Sequence, residues 1–261
     1  MCGDAREPWP GVPESVACVV TSPPYNVGVD YDEYDDGMPW DQYARMAALM
    51  CWQAKQAMID TGRLWINVTP IVPASPLPPG DHSGRSSNPR VSLLDIWGRA
   101  ITEAGLGIWD YVAWTTPGRG PGCAWGSYES PAGPNMRGEW EVIIAAYKGT
   151  WQRQTPAEFK GWKDREGNWI PLTSNVWRIQ PEARGSESHP APFPLELARR
   201  CIRLSTWPGE LVADPFMGYG TTLRAAKDLG RRGLGIDVSE AYCARARARL
   251  GQEVMDFGGA A

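Results

Sequence analysis

Two short stretches carry residue types that could do chemistry. Thr21-Ser22-Pro23-Pro24-Tyr25 follows an apolar run from Val16 to Val20. The two prolines fix the backbone. A Ser22 hydroxyl and a Pro23 carbonyl held at a set angle could accept both hydrogens of an exocyclic amine. Tyr25 would offer a flat face to a base swung out of its helix. Taken alone, the paired prolines read better as a rigid turn after a strand. The second stretch is Asp214-Pro215-Phe216-Met217-Gly218-Tyr219-Gly220-Thr221-Thr222, with Gly235-Ile236-Asp237 about 20 residues on. Glycines let backbone approach a ligand, and the amides opening a helix favour a carboxylate. An acid ending the next strand suits the two hydroxyls of a ribose. The competing reading is a tight turn with a capping aspartate. No Gly-Lys-Ser/Thr follows, so this is not a P-loop, and Asp214 would repel phosphate. The pattern fits a cofactor with a ribose and a cationic or amino-acid end, such as S-adenosylmethionine.

The elements around these stretches alternate. Val16–Val20 reads as a strand buried on both faces. Tyr43, Met46, Ala47, Met50, Ala54, Ala57 and Met58 recur at helical spacing. Leu64–Val68 is the next strand, so a βαβ unit opens the chain. Residues 69–90 hold six prolines and are expected to be an irregular loop. Val91–Ala104 should be a helix, and Ile108–Trp114 and Glu141–Tyr147 strands, with a Gly/Pro-rich stretch between. Residues 148–190 lack periodicity and read as an insertion. Regularity returns with a helix at Leu195–Leu204, a strand at Leu211–Ala213, a helix at Thr221–Leu229, a strand at Gly233–Ile236, and a helix at Ser239–Leu250 capped by Ser239.

Composition bounds the function. The 261 residues suit one α/β domain. At 43% hydrophobic and 21% charged, the chain is not a disordered one. The net charge of −4 argues against attachment to nucleic acid by bulk charge, yet it averages two regions. Residues 1–60 carry 10 acidic and 3 basic side chains, and the rest carry 20 and 23. With 2 histidines there is no His-rich metal site, and none of the six cysteines (Cys2, Cys18, Cys51, Cys123, Cys201, Cys243) forms a C-x-x-C pair. The expectation is therefore no metal, buried thiols in a reducing compartment, and a cytoplasmic protein without a signal peptide or membrane span. The 14 tryptophans stand out against 4 phenylalanines.

Together, the ordered motifs resemble the S-adenosylmethionine-dependent DNA amino-methyltransferases. The Pro-Pro-Tyr motif precedes the glycine motif, as in the circularly permuted β class. Gly3-Asp4 resembles that family's opening, and Trp125-Gly126-Ser127 to Glu141 with Lys148-Gly149 resembles its middle. His189-Pro190-Ala191-Pro192-Phe193-Pro194 resembles the segment walling the cofactor's methionine end. The resemblance implies a Rossmann-like α/β fold, circularly permuted, with a mostly parallel sheet and helices on both faces, in one catalytic domain spanning 1–261. It implies that Ser22 and Pro23 hold the target amine, with Pro24 completing the motif and Tyr25 stacking on the base. Asp214, Pro215, Phe216, Gly218, Gly220 and Thr221 would line the methionine end, Asp237 would bind the ribose and Asp4 would face the adenine, with Phe193 and Pro194 packed nearby. Tyr219 stands where a small residue is usual.

In the family, Ser before Pro-Pro resembles the N4-cytosine enzymes more, and Asp or Asn the N6-adenine enzymes. The implied reaction is thus site-specific transfer to N4 of cytosine, with N6 of adenine as the alternative and a non-catalytic DNA-binding subunit as a further one. The implied partners are double-stranded DNA, a homodimer mate and a cognate restriction nuclease. DNA contact is expected from loop 69–90 and insertion 148–190. There Arg85, Arg90, Arg119, Arg137, Arg153, Lys160, Lys163, Arg165 and Arg178 lie in or near loops with Trp125, Trp140, Trp151, Trp162, Trp169 and Trp177 interleaved. Arg245, Arg247 and Arg249 read as a solvated helix face.

Overall fold

A computed structural model describes residues 1–9, 11–29, 31, 34–74, 89–116, 131, 138–165, 169–180 and 193–251. Its centre is a seven-stranded sheet. Along the chain, β1 (Val16–Thr21) leads through α1 (Trp40–Ala57) to β2 (Met58–Val68). A short antiparallel pair follows, β3 (Ile71–Pro73) with β4 (Arg90–Ser92). Next come α2 (Leu93–Glu103), β5 (Gly107–Thr115), β6 (Trp140–Tyr147), β7 (Val176–Arg178), α3 (Leu195–Ser205), β8 (Leu211–Asp214), α4 (Thr221–Asp228), β9 (Arg232–Gly235) and α5 (Glu240–Gly251). The sheet order is β7-β5-β6-β2-β1-β8-β9. Among these strands β6 alone runs antiparallel to its neighbours, β2 and β5.

Side-chain alternation sorts the core into two layers. Val19, Leu64 and Ile66 face α1 and α2, whereas Cys18, Val20 and Trp65 face α3 and α4. β1 is buried along its whole length, as a central parallel strand must be. α1 begins after Pro39 and buries Tyr43, Met46, Ala47, Met50, Cys51, Ala54 and Ala57, the spacing that the sequence shows. Ser92 caps α2, its hydroxyl accepting from Asp95 N at 3.2 Å. Ser239 Oγ accepts from Tyr242 N at 3.2 Å, the expected cap of the last helix.

Several expectations need correction. Met58 opens β2 rather than closing α1, because the polar residues Asp60 to Arg63 hide the first half of an 11-residue strand. Part of 69–90 is regular, since Ile71–Pro73 pairs with Arg90–Ser92 and leaves prolines at ends and edges. Residues 148–190 are not all insertion. Val176–Arg178 extends the sheet beside β5, and Trp177 is fully buried. The cysteines Cys18, Cys51, Cys201 and Cys243 are buried, but Cys2 is exposed; Cys123 lies outside the described residues. No described helix is long and apolar enough to cross a membrane.

Candidate active site

β1, β2, β8 and β9 all present their C-terminal ends to one edge, and both motifs meet there. Thr21 Oγ1 donates to Asp214 Oδ1 at 2.7 Å, joining two stretches 193 residues apart. The Pro-Pro turn is pinned from α1: Tyr43 Oη donates to the Pro24 carbonyl at 2.7 Å and accepts from Trp97 Nε1 at 3.1 Å. That leaves the Pro23 carbonyl without a described donor. Ser22 Oγ lies 3.3 Å from Tyr25 Oη and from the Asn67 carbonyl. Tyr25 Oη in turn donates to Glu141 Oε2 at 2.7 Å, and Asn67 Nδ2 donates to the same oxygen at 2.7 Å. Burial, with the Glu141 charge, pushes the Tyr25 phenol well above its ordinary pKa, so it remains a protonated donor.

The loop after Tyr25 closes on an acid. Asp36, 3% exposed, accepts from the amides of Asn26, Val27 and Val29 at 2.7, 3.0 and 3.0 Å. Burial raises its pKa while these bonds pull it down. One carboxylate of the acidic stretch is thus an internal staple, and it sets Tyr31 and Tyr34 above the site, their rings 6.2 Å apart edge to face.

The glycine turn is built as tightly as its sequence suggests. Gly220 has φ +78° and opens α4. A side chain at Gly235 would force Met217 and Leu223 to shift, because a Cβ there would press on Met217 Sδ and Leu223 Cδ1. The turn is closed by Met217 N to the Ile236 carbonyl at 3.0 Å and by Gly218 N to Asp237 Oδ2 at 2.9 Å. Asp237 also accepts from Ser239 N at 3.0 Å, and burial raises its pKa. Asp214 is 1% exposed; burial raises its pKa to about 6, and its Oδ2 has no described partner. Tyr219 turns away to α5, where Arg245 covers its ring at 5.2 Å and Tyr242 packs at 5.2 Å. The arginines of α5 are therefore not all a free solvated face.

An open cleft runs along this edge. Ser22 and Pro24 form one end, and Pro215, Phe216, Asp237 and Ser239 form the other. Asp4 lines it too. Gly3 N donates to the Asp237 carbonyl at 2.9 Å, which carries Asp4 to the wall. Both Asp4 oxygens meet the Arg6 side chain; burial works against this, but the Arg6 bonds hold the carboxyl below its ordinary pKa. Tyr31, Tyr34, Met46 and Tyr242 complete the lining and were not foreseen from the sequence. Gly218, Gly220, Thr221 and Asp214 lie behind the wall rather than in it. Phe193 packs on the α3–α4 side of the sheet and Pro194 precedes α3, so the structure does not bring them to this cleft.

The far end of the sheet holds much of what the sequence suggested for DNA contact. β6 runs backwards, so the chain leaves it at Tyr147 opposite Arg63, away from Ser22. Arg153 pairs with Glu210 at 2.6 Å and covers Trp207, and Trp151 stacks on Trp109 at 4.7 Å. Trp162 and Trp169 line an open hollow with Arg63, Arg153 and Arg203. These residues brace the scaffold's lower end, and Trp177 is core. Lys160, Lys163 and Arg165 continue the same far-end segment. At the catalytic end stand Arg90, Trp140 and Arg178, all exposed. Arg85, Arg119, Arg137, Trp125 and the segment 189–192 lie outside the described residues.

Comparison with known proteins agrees with this geometry. The DNA methylase model for N6/N4 methyltransferases matches residues 16–248. The chain belongs to the DNA methylase family. This DNA methylase is 27% identical over 256 residues to the Type II methyltransferase M.XycI of Xanthomonas campestris pv. cyanopsidis, covering 90% of its own length and 81% of the relative's. It is 26% identical to M.SmaI of Serratia marcescens, covering 96% and 89%. Among solved structures, TTHA0409 of Thermus thermophilus, named as a DNA modification methylase and complexed with S-adenosyl-L-methionine, superposes with a TM-score of 0.73 at 27% identity, covering 98% and 95%. The cytosine-N4-specific PvuII DNA methyltransferase shares the fold, with a TM-score of 0.68 at 19% identity, covering 97% and 86%.

Proposed function

We propose that this DNA methylase transfers a methyl group from S-adenosylmethionine to the N4 amine of cytosine at a specific site in duplex DNA. The observation that carries the reading is the cleft itself, which joins Ser22 of the Pro-Pro turn to Asp237 at the end of β9. The residues fit the cofactor. Asp237 would take the ribose hydroxyls, Phe216 and the tyrosines would wall the base, and the Asp214 carboxylate behind the wall would favour the cationic amino-acid end through its charge. When bound, the cofactor supplies an electrophilic methyl group on a sulfonium.

Cytosine's amine is a poor nucleophile, because its lone pair is delocalised into the ring. Ser22 Oγ and the Pro23 carbonyl would accept its two hydrogens from outside the ring plane, which draws the nitrogen toward tetrahedral geometry and frees the lone pair. The remaining work is positioning and exclusion of water. Ser22 is the feature that favours cytosine over adenine, since a neutral hydroxyl stands where adenine enzymes more often carry Asp or Asn. The base must leave the helix to reach the cleft. The DNA face is the catalytic end of the sheet, with Arg90, Trp140 and Arg178. The relatives' Type II names support a cognate restriction nuclease, and a homodimer remains part of the proposal.

Incubation with tritiated S-adenosylmethionine and mixed-sequence DNA, followed by nucleoside mass analysis, tests this. N4-methylcytosine is the expected product. N6-methyladenine would overturn the base assignment, and unlabelled DNA with demonstrable cofactor binding would overturn the activity. Ser22→Ala should lower the transfer rate by about 100-fold and leave cofactor affinity unchanged.

A further inference from the structure

Glu141 sits at the start of β6 and belongs to neither motif. Its Oε2 accepts from Tyr25 Oη and from Asn67 Nδ2, each at 2.7 Å. An ionised carboxylate has no proton to give, so it dictates the direction of every bond around it. Tyr25 has one hydroxyl proton, and the short bond to Glu141 uses it. Tyr25 Oη is then left with lone pairs only, and Asn67 Nδ2 donates to it at 3.0 Å. Asn67 must turn its amide nitrogen toward this pair, and its buried Oδ1 has no described partner as a result. Ser22 also has one proton. Its two nearest acceptors, Tyr25 Oη and the Asn67 carbonyl, are both inward and both 3.3 Å away. With that proton committed inward, the lone pairs of Ser22 face the cleft that it lines.

We propose that Glu141 is a positioning residue: by fixing the direction of the Ser22–Tyr25 hydrogen-bond chain it keeps Ser22 an acceptor toward the target amine. The proposal rests on the amine-methylation reading above. Remove the acceptor at 141 and the Tyr25 proton turns to Ser22 Oγ or to the Asn67 carbonyl, 3.5 Å away. The first choice fills a Ser22 lone pair that would otherwise accept from the target amine, and the second competes with Ser22 for its inward acceptor.

A double-mutant cycle tests this. Glu141→Met keeps length and removes both acceptor oxygens; Glu141→Gln keeps an oxygen that can accept both donors. Single-turnover methyl transfer should fall about 100-fold in Glu141→Met and only a few-fold in Glu141→Gln, with cofactor affinity by calorimetry unchanged in both. In a Tyr25→Phe background no phenolic proton exists to be redirected, so Glu141→Met should cost less than about threefold more. A second readout needs no turnover. Duplex carrying the target base should bind more tightly than duplex carrying its counterpart without the exocyclic amine (2-pyrimidinone for cytosine). Glu141→Met should erase that preference. A wild-type rate in Glu141→Met, an equal loss in Glu141→Gln, or an undiminished loss in the Tyr25→Phe background would each overturn the proposal; should Glu141→Met not fold, Glu141→Leu, which also lacks an acceptor, takes its place. Failure of the underlying reading looks different, because the wild-type protein itself would leave DNA unlabelled.

Discussion

Asp214→Asn separates what the glycine turn costs from what it does. Asp214 is 1% exposed; Oδ1 accepts from Thr21 and from Phe216 N, the Thr222 hydroxyl lies close enough to pull its pKa down, and Oδ2 has no described hydrogen-bond partner. Burial raises its pKa from 3.8 to about 6, and nearby Asp237 pushes the same way. A carboxyl with a higher pKa folded than unfolded holds its proton more tightly in the folded state. Its charge therefore destabilises the fold fully above about pH 6, and the cost fades as the pH falls toward 3.8. Two units at 1.36 kcal/mol each give roughly 3 kcal/mol. Asparagine keeps the acceptor for Thr21 and Phe216 but buries an amide donor without a partner, at about 1–3 kcal/mol. The cofactor-free variant should thus equal or exceed the parent by about 0–2 kcal/mol at pH 8 and equal or fall below it by about 0–2 kcal/mol near pH 4.5, where about 1 kcal/mol of the charge cost remains. Urea unfolding of both proteins across this range gives the difference directly, and titrating groups not coupled to Asp214 cancel. A difference that stays flat with pH would refute the reasoning. Calorimetry should show S-adenosylmethionine bound more weakly, since the buried charge that favours its cationic end is lost. An acid that weakens the empty protein is retained for what it binds.

Two further outcomes are expected. Asp36→Ala strips the acceptor from three buried amides, so the urea midpoint should fall by an amount worth about 2–4 kcal/mol, and cofactor affinity should fall with it as Tyr31 and Tyr34 lose their support; an unchanged midpoint would remove Asp36 from that role. Arg153→Met breaks a half-buried pair with Glu210, so stability should drop by about 2–4 kcal/mol, while DNA affinity and its salt dependence stay as they were. A salt slope shallower by about one would instead make Arg153 a phosphate contact.

What the sequence made legible was what local rules determine. The Pro-Pro turn, the Gly220 and Gly235 constraints and the Ser239 cap need only neighbouring residues, and they stand where expected. The start of β2 was hidden because Asp60 to Arg63 interrupts the apolar run. β7 was hidden because three residues carry no periodicity, although Trp177 at its centre is fully buried. Tyr31, Tyr34 and Tyr242 reach the cleft through loop closure and helix placement, which no spacing encodes. Arg153 looked free for DNA because Glu210, its partner, lies 57 residues away.

The reversal of β6 explains why the later, more basic part of the chain is not uniformly a DNA surface. A strand parallel to β2 would have delivered residues 148–165 to the catalytic edge. Running antiparallel, β6 instead starts at that edge and ends at the other, opposite Arg63. Its second residue, Glu141, is therefore the one that stands beside Tyr25, and its exit sends Trp151 and Arg153 to brace the far end. β7 then returns parallel to β5 and sets Arg178 level with Thr115, back at the catalytic edge. The same reversal that carries residues 148–165 to the far end places a carboxylate within 2.7 Å of the Tyr25 hydroxyl. A single strand direction thus decides both where the cations of that segment stand and which acid meets the Pro-Pro-Tyr turn.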